Sequence, residues 1–169
     1  MKHAWLLALS IVAAPSRAAA GQWAGKNADV VAVRVLPVET PVLYERLLDL
    51  ETFRAMLPAD CATDWELGQP AKGVGAQGSV RYDIEGMHRH LDFVLNKAEA
   101  PRQIDLDHRG NRGFVTRLLL RPVDTGTELE IHTYLEAPRW PFTAYFYRKV
   151  QPSWLDCYER ALQNLGAAP

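Results

Sequence analysis

The chain has 169 residues, 48% of them hydrophobic and 23% charged, and its formal charge is −1 at pH 7. That length supports one domain with a sizeable core, and the composition is globular rather than disordered or fibrous. A near-neutral balance without clustered Lys and Arg argues against a nucleic-acid-binding surface.

The first residues read as an export signal. Lys2 and His3 open the chain, Ala4 to Ala14 forms an apolar run, and Ala18-Ala19-Ala20 supplies a small-residue cleavage site. This is the layout of a secretory signal peptide over residues 1–20, and the apolar run is too short to remain as a spanning anchor. The alternative is an interfacial helix left in place. Cleavage before Gly21 removes Lys2 and Arg17, leaving 17 basic against 20 acidic residues, a net −3. The expected address is therefore exported, periplasmic or secreted, with no stable membrane anchor after cleavage. Residues 21–28 form a short polar leader, and 29–166 form the folded domain.

Asp29 to Leu36 is dense in β-branched residues and predicts a strand. Thr40-Pro41 gives a helix start, with Thr40 as N-cap and proline at the first helical position. Asp49 restarts a second short helix that Pro58 ends. Ala62 to Leu67 is a weak strand, and the glycines at 73, 75 and 78 mark a loop. Alternation then sets in. Val80, Tyr82 and Ile84 share one side of a strand; Leu91, Phe93 and Leu95 share one side of the next. Ile104, Leu106 and His108 alternate with Asp105 and Asp107, Phe114 to Leu120 follows a glycine turn, and Leu129, Ile131, Thr133 and Leu135 complete the pattern. Short turns between strands predict antiparallel pairing, with one dry face and one wet face.

Trp140 to Leu165 predicts a long amphipathic helix. Phe142, Phe146, Val150, Trp154, Cys157, Tyr158, Ala161 and Leu165 share its apolar side. Phe142 to Leu165 would run roughly 36 Å. Pro152 should kink it near Arg148. The expected fold class is α+β: a helix-grip arrangement in which a curved seven-stranded antiparallel sheet wraps around a long C-terminal helix, with two short helices between strands 1 and 2. Cys61 and Cys157 either bridge or stay apart as thiols, with Cys157 behaving as a small buried hydrophobe.

This order resembles the START-like, or Bet v 1-like, superfamily, which includes bacterial polyketide cyclase/dehydrase and lipid-transport proteins. The residues that carry the resemblance are Leu48-Asp49-Leu50-Glu51-Thr52-Phe53 running into Leu57-Pro58, the loop Gly73-Val74-Gly75, and the turn Asp124-Thr125-Gly126-Thr127-Glu128-Leu129. It covers roughly Asp29 to Leu165, nearly all of the mature chain. It implies a hydrophobic cavity between sheet and helix, with the glycine loop bordering its entrance, and leaves the activity open because fold does not fix function.

The expected ligand-binding residues on the sheet are Tyr82, Ile84, Leu91, Phe93, Ile104 and Leu106, then Thr116, Leu118, Leu129, Ile131 and Thr133. Phe142, Phe146, Val150 and Trp154 would close over them. The alternative is a solid core. The sequence carries no Walker loop, no Gly-x-Ser-x-Gly elbow, no His-Glu-x-x-His and no Cys-x-x-Cys. No cofactor is expected. No metal site is expected either, because parity sends His88, His90, His132, Asp83, Glu85, Asp92, Asp105 and Asp107 to the water-facing side. The favoured function is an exported binder or carrier of a hydrophobic, lipid-like small molecule. The alternative is a cyclase/dehydratase- or hydrolase-type enzyme that uses His108 and Tyr82 for proton transfer in the same cavity. The helix should divide at Pro152 into a lid, Phe142 to Val150, and an anchor beyond it.

Overall fold

A computed structural model describes residues 27–110, 113–135 and 141–167. The stretch read as a signal peptide lies outside the described residues. The order is β1 (Val30–Leu36), α1 (Thr40–Leu47), α2 (Leu50–Met56), β2 (Ala62–Leu67), β3 (Gln77–Ile84), β4 (Met87–Glu99), β5 (Gln103–Arg109), β6 (Phe114–Val123) and β7 (Gly126–Tyr134). A C-terminal helix follows in three parts: α3 (Thr143–Tyr145), a π turn (Phe146–Val150) and α4 (Gln151–Ala167).

The seven strands make one antiparallel sheet in the order β1-β7-β6-β5-β4-β3-β2. It curls around the C-terminal helix, giving the helix-grip arrangement that the alternation predicts. Register explains the core. Ile104 pairs with Leu118, Leu118 with Ile131 and Ile131 with Ala32, so one apolar row crosses four strands on the inner face. All four are buried. The β6–β7 turn needs its glycine: Gly126 has φ +137°, and a Cβ there would sit 2.1 Å from the Leu36 carbonyl oxygen.

One local reading is corrected and a second takes a particular form. Glu39, not Thr40, occupies the N-cap of α1, and it makes no side-chain cap. The Thr40 hydroxyl instead lies 2.8 Å from that of Thr127, which donates to the Val38 carbonyl at 2.7 Å, tying the helix start to the β6–β7 turn. Pro152 distorts the C-terminal helix where expected, around Arg148, without ending it. The turn ahead of it widens, with the Gln151 N–H bonded to the Phe146 carbonyl, so the helix absorbs the missing donor by a π turn.

The second half of that helix is held by several independent ties. Cys157 is disulfide-bonded to Cys61, with Cα atoms 6.1 Å apart. Arg160 reaches both oxygens of Asp60 at 2.8 and 2.9 Å, and the Asn164 amide donates to the Met56 carbonyl at 3.0 Å. The apolar stripe Trp154, Cys157, Tyr158, Ala161 and Leu165 is buried throughout. The first half is wetter: Phe142 is 65% exposed and Tyr145 49%.

Candidate functional site

Between the sheet and the start of the C-terminal helix lies a cavity of about 200 Å³. β3 contributes Tyr82 and Ile84, while β4 contributes Met87, Arg89 and Leu91. Phe114 and Leu135 add the sheet's far wall, and Phe142, Tyr145, Phe146, Val150 and Trp154 form the helical side. The strands place these residues by parity: Arg89 pairs with Tyr82 and Met87 with Ile84, so all four point to the same face. The helical residues recur at intervals of three and four and share one side. Apolar walls with few polar groups are the usual form of a small-molecule site.

Of the residues expected to bind ligand, Tyr82, Ile84, Leu91, Phe142, Phe146, Val150 and Trp154 line this cavity. Phe93, Ile104, Leu106, Leu118, Leu129 and Ile131 lie on the same sheet face but are packed in the buried core and do not line it. The cavity thus occupies one end of the concave face, beside the β3–β4 hairpin. The glycine loop is at the other end: Gly73 N–H bonds the Leu48 carbonyl and Gly75 N–H that of Leu95.

Thr116 and Thr133 are used elsewhere. Thr133 donates to the Tyr158 hydroxyl oxygen at 3.0 Å, and the Thr116 hydroxyl lies 3.4 Å from both. All three groups are buried, and they form a polar pin between the sheet and the anchored half of the helix. Burial pushes the Tyr158 phenol up to about 12, so it stays a neutral hydrogen-bonding group.

His108 and Tyr82 do meet. The Tyr82 hydroxyl lies 2.9 Å from His108 Nε2. His108 is only 1% exposed, stacked on Phe114 with centroids 4.1 Å apart, and it does not line the cavity. It is therefore buried beside the cavity rather than inside it, where the proton-transfer alternative needs it. Its neighbours Tyr82 and Phe114 both line the cavity. Burial drives the His108 pKa down to about 3, partly offset by the Leu106 and Phe114 backbone nearby. Burial, and secondarily Tyr158, pushes the Tyr82 phenol well up. The pair is neutral at any moderate pH, and proton transfer from Tyr82 to His108 is steeply uphill. His108 Nδ1 makes no hydrogen bond of good geometry among the described residues.

On the outer face, His88 lies 2.9 Å from Asp83, and His132 lies 2.7 Å from Glu130. Asp105 and Asp107 share that parity but do not face water: they are 5% and 6% exposed. Asp105 is covered because Arg117 clamps both its oxygens at 2.9 and 3.0 Å. Asp107, 3.6 Å from Arg109, keeps a pKa raised by burial, which that guanidinium opposes. Among the described residues, no three His, Cys, Asp or Glu gather as a metal site. No described helix is long and apolar enough to cross a membrane.

Met87, Arg89, Phe114, Leu135 and Tyr145 are cavity residues not singled out from the sequence for binding. Met87 and Arg89 carry a usable signal, since both stand at even spacing from Leu91 and Phe93.

No family model matches the sequence, and no curated protein does. Solved structures do match in fold. The KanY protein superposes with TM-score 0.67 at 15% identity, over 81% of this chain and 93% of that one. TTHA0849 from Thermus thermophilus gives 0.67 at 16%, with the same coverage. CV1439 from Chromobacterium violaceum gives 0.55 at 17%, over 82% of this chain and 94% of its own. The likeness is one of fold: a curled antiparallel sheet of the same architecture.

Proposed function

We propose that the protein is an exported, START-like binder or carrier of a hydrophobic small molecule, held between the sheet and the first half of the C-terminal helix. The observation that carries this reading is the cavity itself, whose lining is apolar apart from the Tyr82 and Tyr145 hydroxyls and Arg89. Its exposed aromatic edge, Phe142 and Tyr145, suits capture of an apolar molecule from water or from a membrane surface. The Cys61–Cys157 disulfide supports export, because such bonds persist in oxidising compartments.

Size sharpens the reading. Engineered apolar cavities of about 150 Å³ accept benzene, and drug-sized ligands occupy about 300–1,000 Å³. About 200 Å³ therefore holds a ring or a short chain, and a long lipid would leave part of its tail at the mouth. Apolar burial, at about 25 cal/mol per Å², would supply most of the affinity.

The enzyme alternative gains no support from the Tyr82–His108 pair. Its histidine is a weak base shielded from the cavity, and its tyrosine is a weak acid already engaged. Native mass spectrometry and organic extraction of the purified protein test the proposal. A copurifying apolar molecule in one-to-one ratio is expected. Protein that yields none, and that takes up neither short alcohols nor aromatic probes, would end it.

A further inference from the structure

We propose that the first half of the C-terminal helix docks on an anionic membrane surface, so that the cavity opens towards the lipid. The inference rests on the binder reading above and names where its ligand is exchanged. Phe142 and Tyr145 line the cavity and are exposed, forming its outer lip. Arg148 and Lys149 follow three and four positions after Tyr145, on the same side of the helix, and are exposed as well. Neither side chain makes an ion pair or hydrogen bond among the described residues. Residues 141–150 contain no Asp or Glu. The outward side of the second half differs: Asp156 and Glu159 stand there exposed, and Arg160 is held by Asp60 and Asp156.

That composition suits a bilayer interface. Phenylalanine and tyrosine rings enter the headgroup layer, the tyrosine hydroxyl staying wet, and two cations one turn further on meet anionic headgroups. The chain as a whole carries −1, so a preference for anionic lipid must come from a local basic segment such as this one. Docked in this way, the exposed lip faces the lipid, and an apolar molecule passes between bilayer and cavity with little exposure to water. The plain alternative is that Phe142 and Tyr145 only rim the cavity, while Arg148 and Lys149 are ordinary solvated surface. The two accounts differ in one respect: a solvated surface gives no preference for charged lipid.

Co-sedimentation with vesicles of phosphatidylcholine alone, or of equimolar phosphatidylcholine and phosphatidylglycerol, separates them. At low salt the wild-type protein should bind the anionic vesicles at least about tenfold better than the neutral ones, from roughly a fivefold gain per basic residue at such a surface. The preference should shrink as salt is raised. The double variant Arg148→Glu, Lys149→Glu should lose it while keeping wild-type affinity for 1-octanol, since neither residue lines the cavity. If that charge reversal disturbs folding, the milder pair Arg148→Gln, Lys149→Gln gives the same comparison. Wild-type protein that binds neither vesicle, or both equally, would overturn the inference, as would a folded double variant that keeps the preference. Octanol titration of the same samples reads the binder proposal separately. Octanol bound without vesicle preference leaves that proposal standing, and vesicle preference without octanol uptake removes it and leaves only the docking surface.

Discussion

A histidine buried without charge makes the fold sensitive to acid, and His108 allows the size of that effect to be worked out. In the unfolded chain its ring takes a proton below about pH 6.5. In the fold it does so only near 3. The folded pKa is depressed, so the unfolded chain binds more protons, and stability is lost as pH falls from about 6.5 towards 3. Each unit in that window costs about 1.4 kcal/mol, which amounts to roughly 3 kcal/mol at pH 4.5. His108→Gln removes the titration while keeping a polar partner for Tyr82. Urea denaturation of both proteins at about pH 7 and about pH 4.5 gives a double difference in which other carboxylates largely cancel. The variant, whatever its stability at neutral pH, should lose roughly 3 kcal/mol less than wild type across that interval. Parallel losses would refute the argument, because they would mean that His108 reaches water or an anion in the fold.

Replacing Cys61 and Cys157 together by alanine should cost about 4–5 kcal/mol in the chain-entropy model, given their sequence separation of 96; thermal melts under oxidising and reducing conditions check this. Trp154 packs against Tyr82, Phe114 and Tyr158, with centroids 4.9–5.5 Å away. Trp154→Ala should therefore lower stability by about 3–5 kcal/mol. Phe146→Ala, at the cavity wall, should chiefly change the affinity for octanol, and equal unfolding of both variants with no change in binding would refute this division of the helix. Asp107 has a folded pKa raised above its unfolded value, so its ionised form opposes folding above that pKa and the penalty is relieved as pH falls. Asp107→Asn should raise Tm at neutral pH, with the gain vanishing in acid.

The sheet is legible in the sequence because parity is a simple signal: Tyr82, Leu91, Ile104, Leu118 and Ile131 each sit inward as alternation requires. The helix stripe is equally plain. What sequence does not supply is how much of the concave face is filled. Leu118 and Leu129 are as apolar as Leu91, yet only Leu91 lines the cavity, because the others are packed inside the buried core. Thr116 and Thr133 resemble ligand contacts for the same reason; their partner, Tyr158, arrives from the helix and consumes them. Asp105 and Asp107 show that facing outward is not the same as being wet, since Arg117 and Arg109 reach over their strand. Arg89 is readable in principle: a charge at an inward position breaks the pattern, and such breaks concentrate at functional sites.

The central claim is that one end of the concave face is a ligand site and the rest is core. Methyl-resolved NMR titration with 1-octanol tests it most directly, because the two regions carry distinct reporters. Saturable shifts are expected at the methyls of Ile84, Leu91, Leu135 and Val150, which line the cavity, with those of Leu118, Leu129 and Ile131 nearly still. Shifts absent throughout, or confined to the exposed valines of β1, Val31, Val33 and Val35, would contradict it.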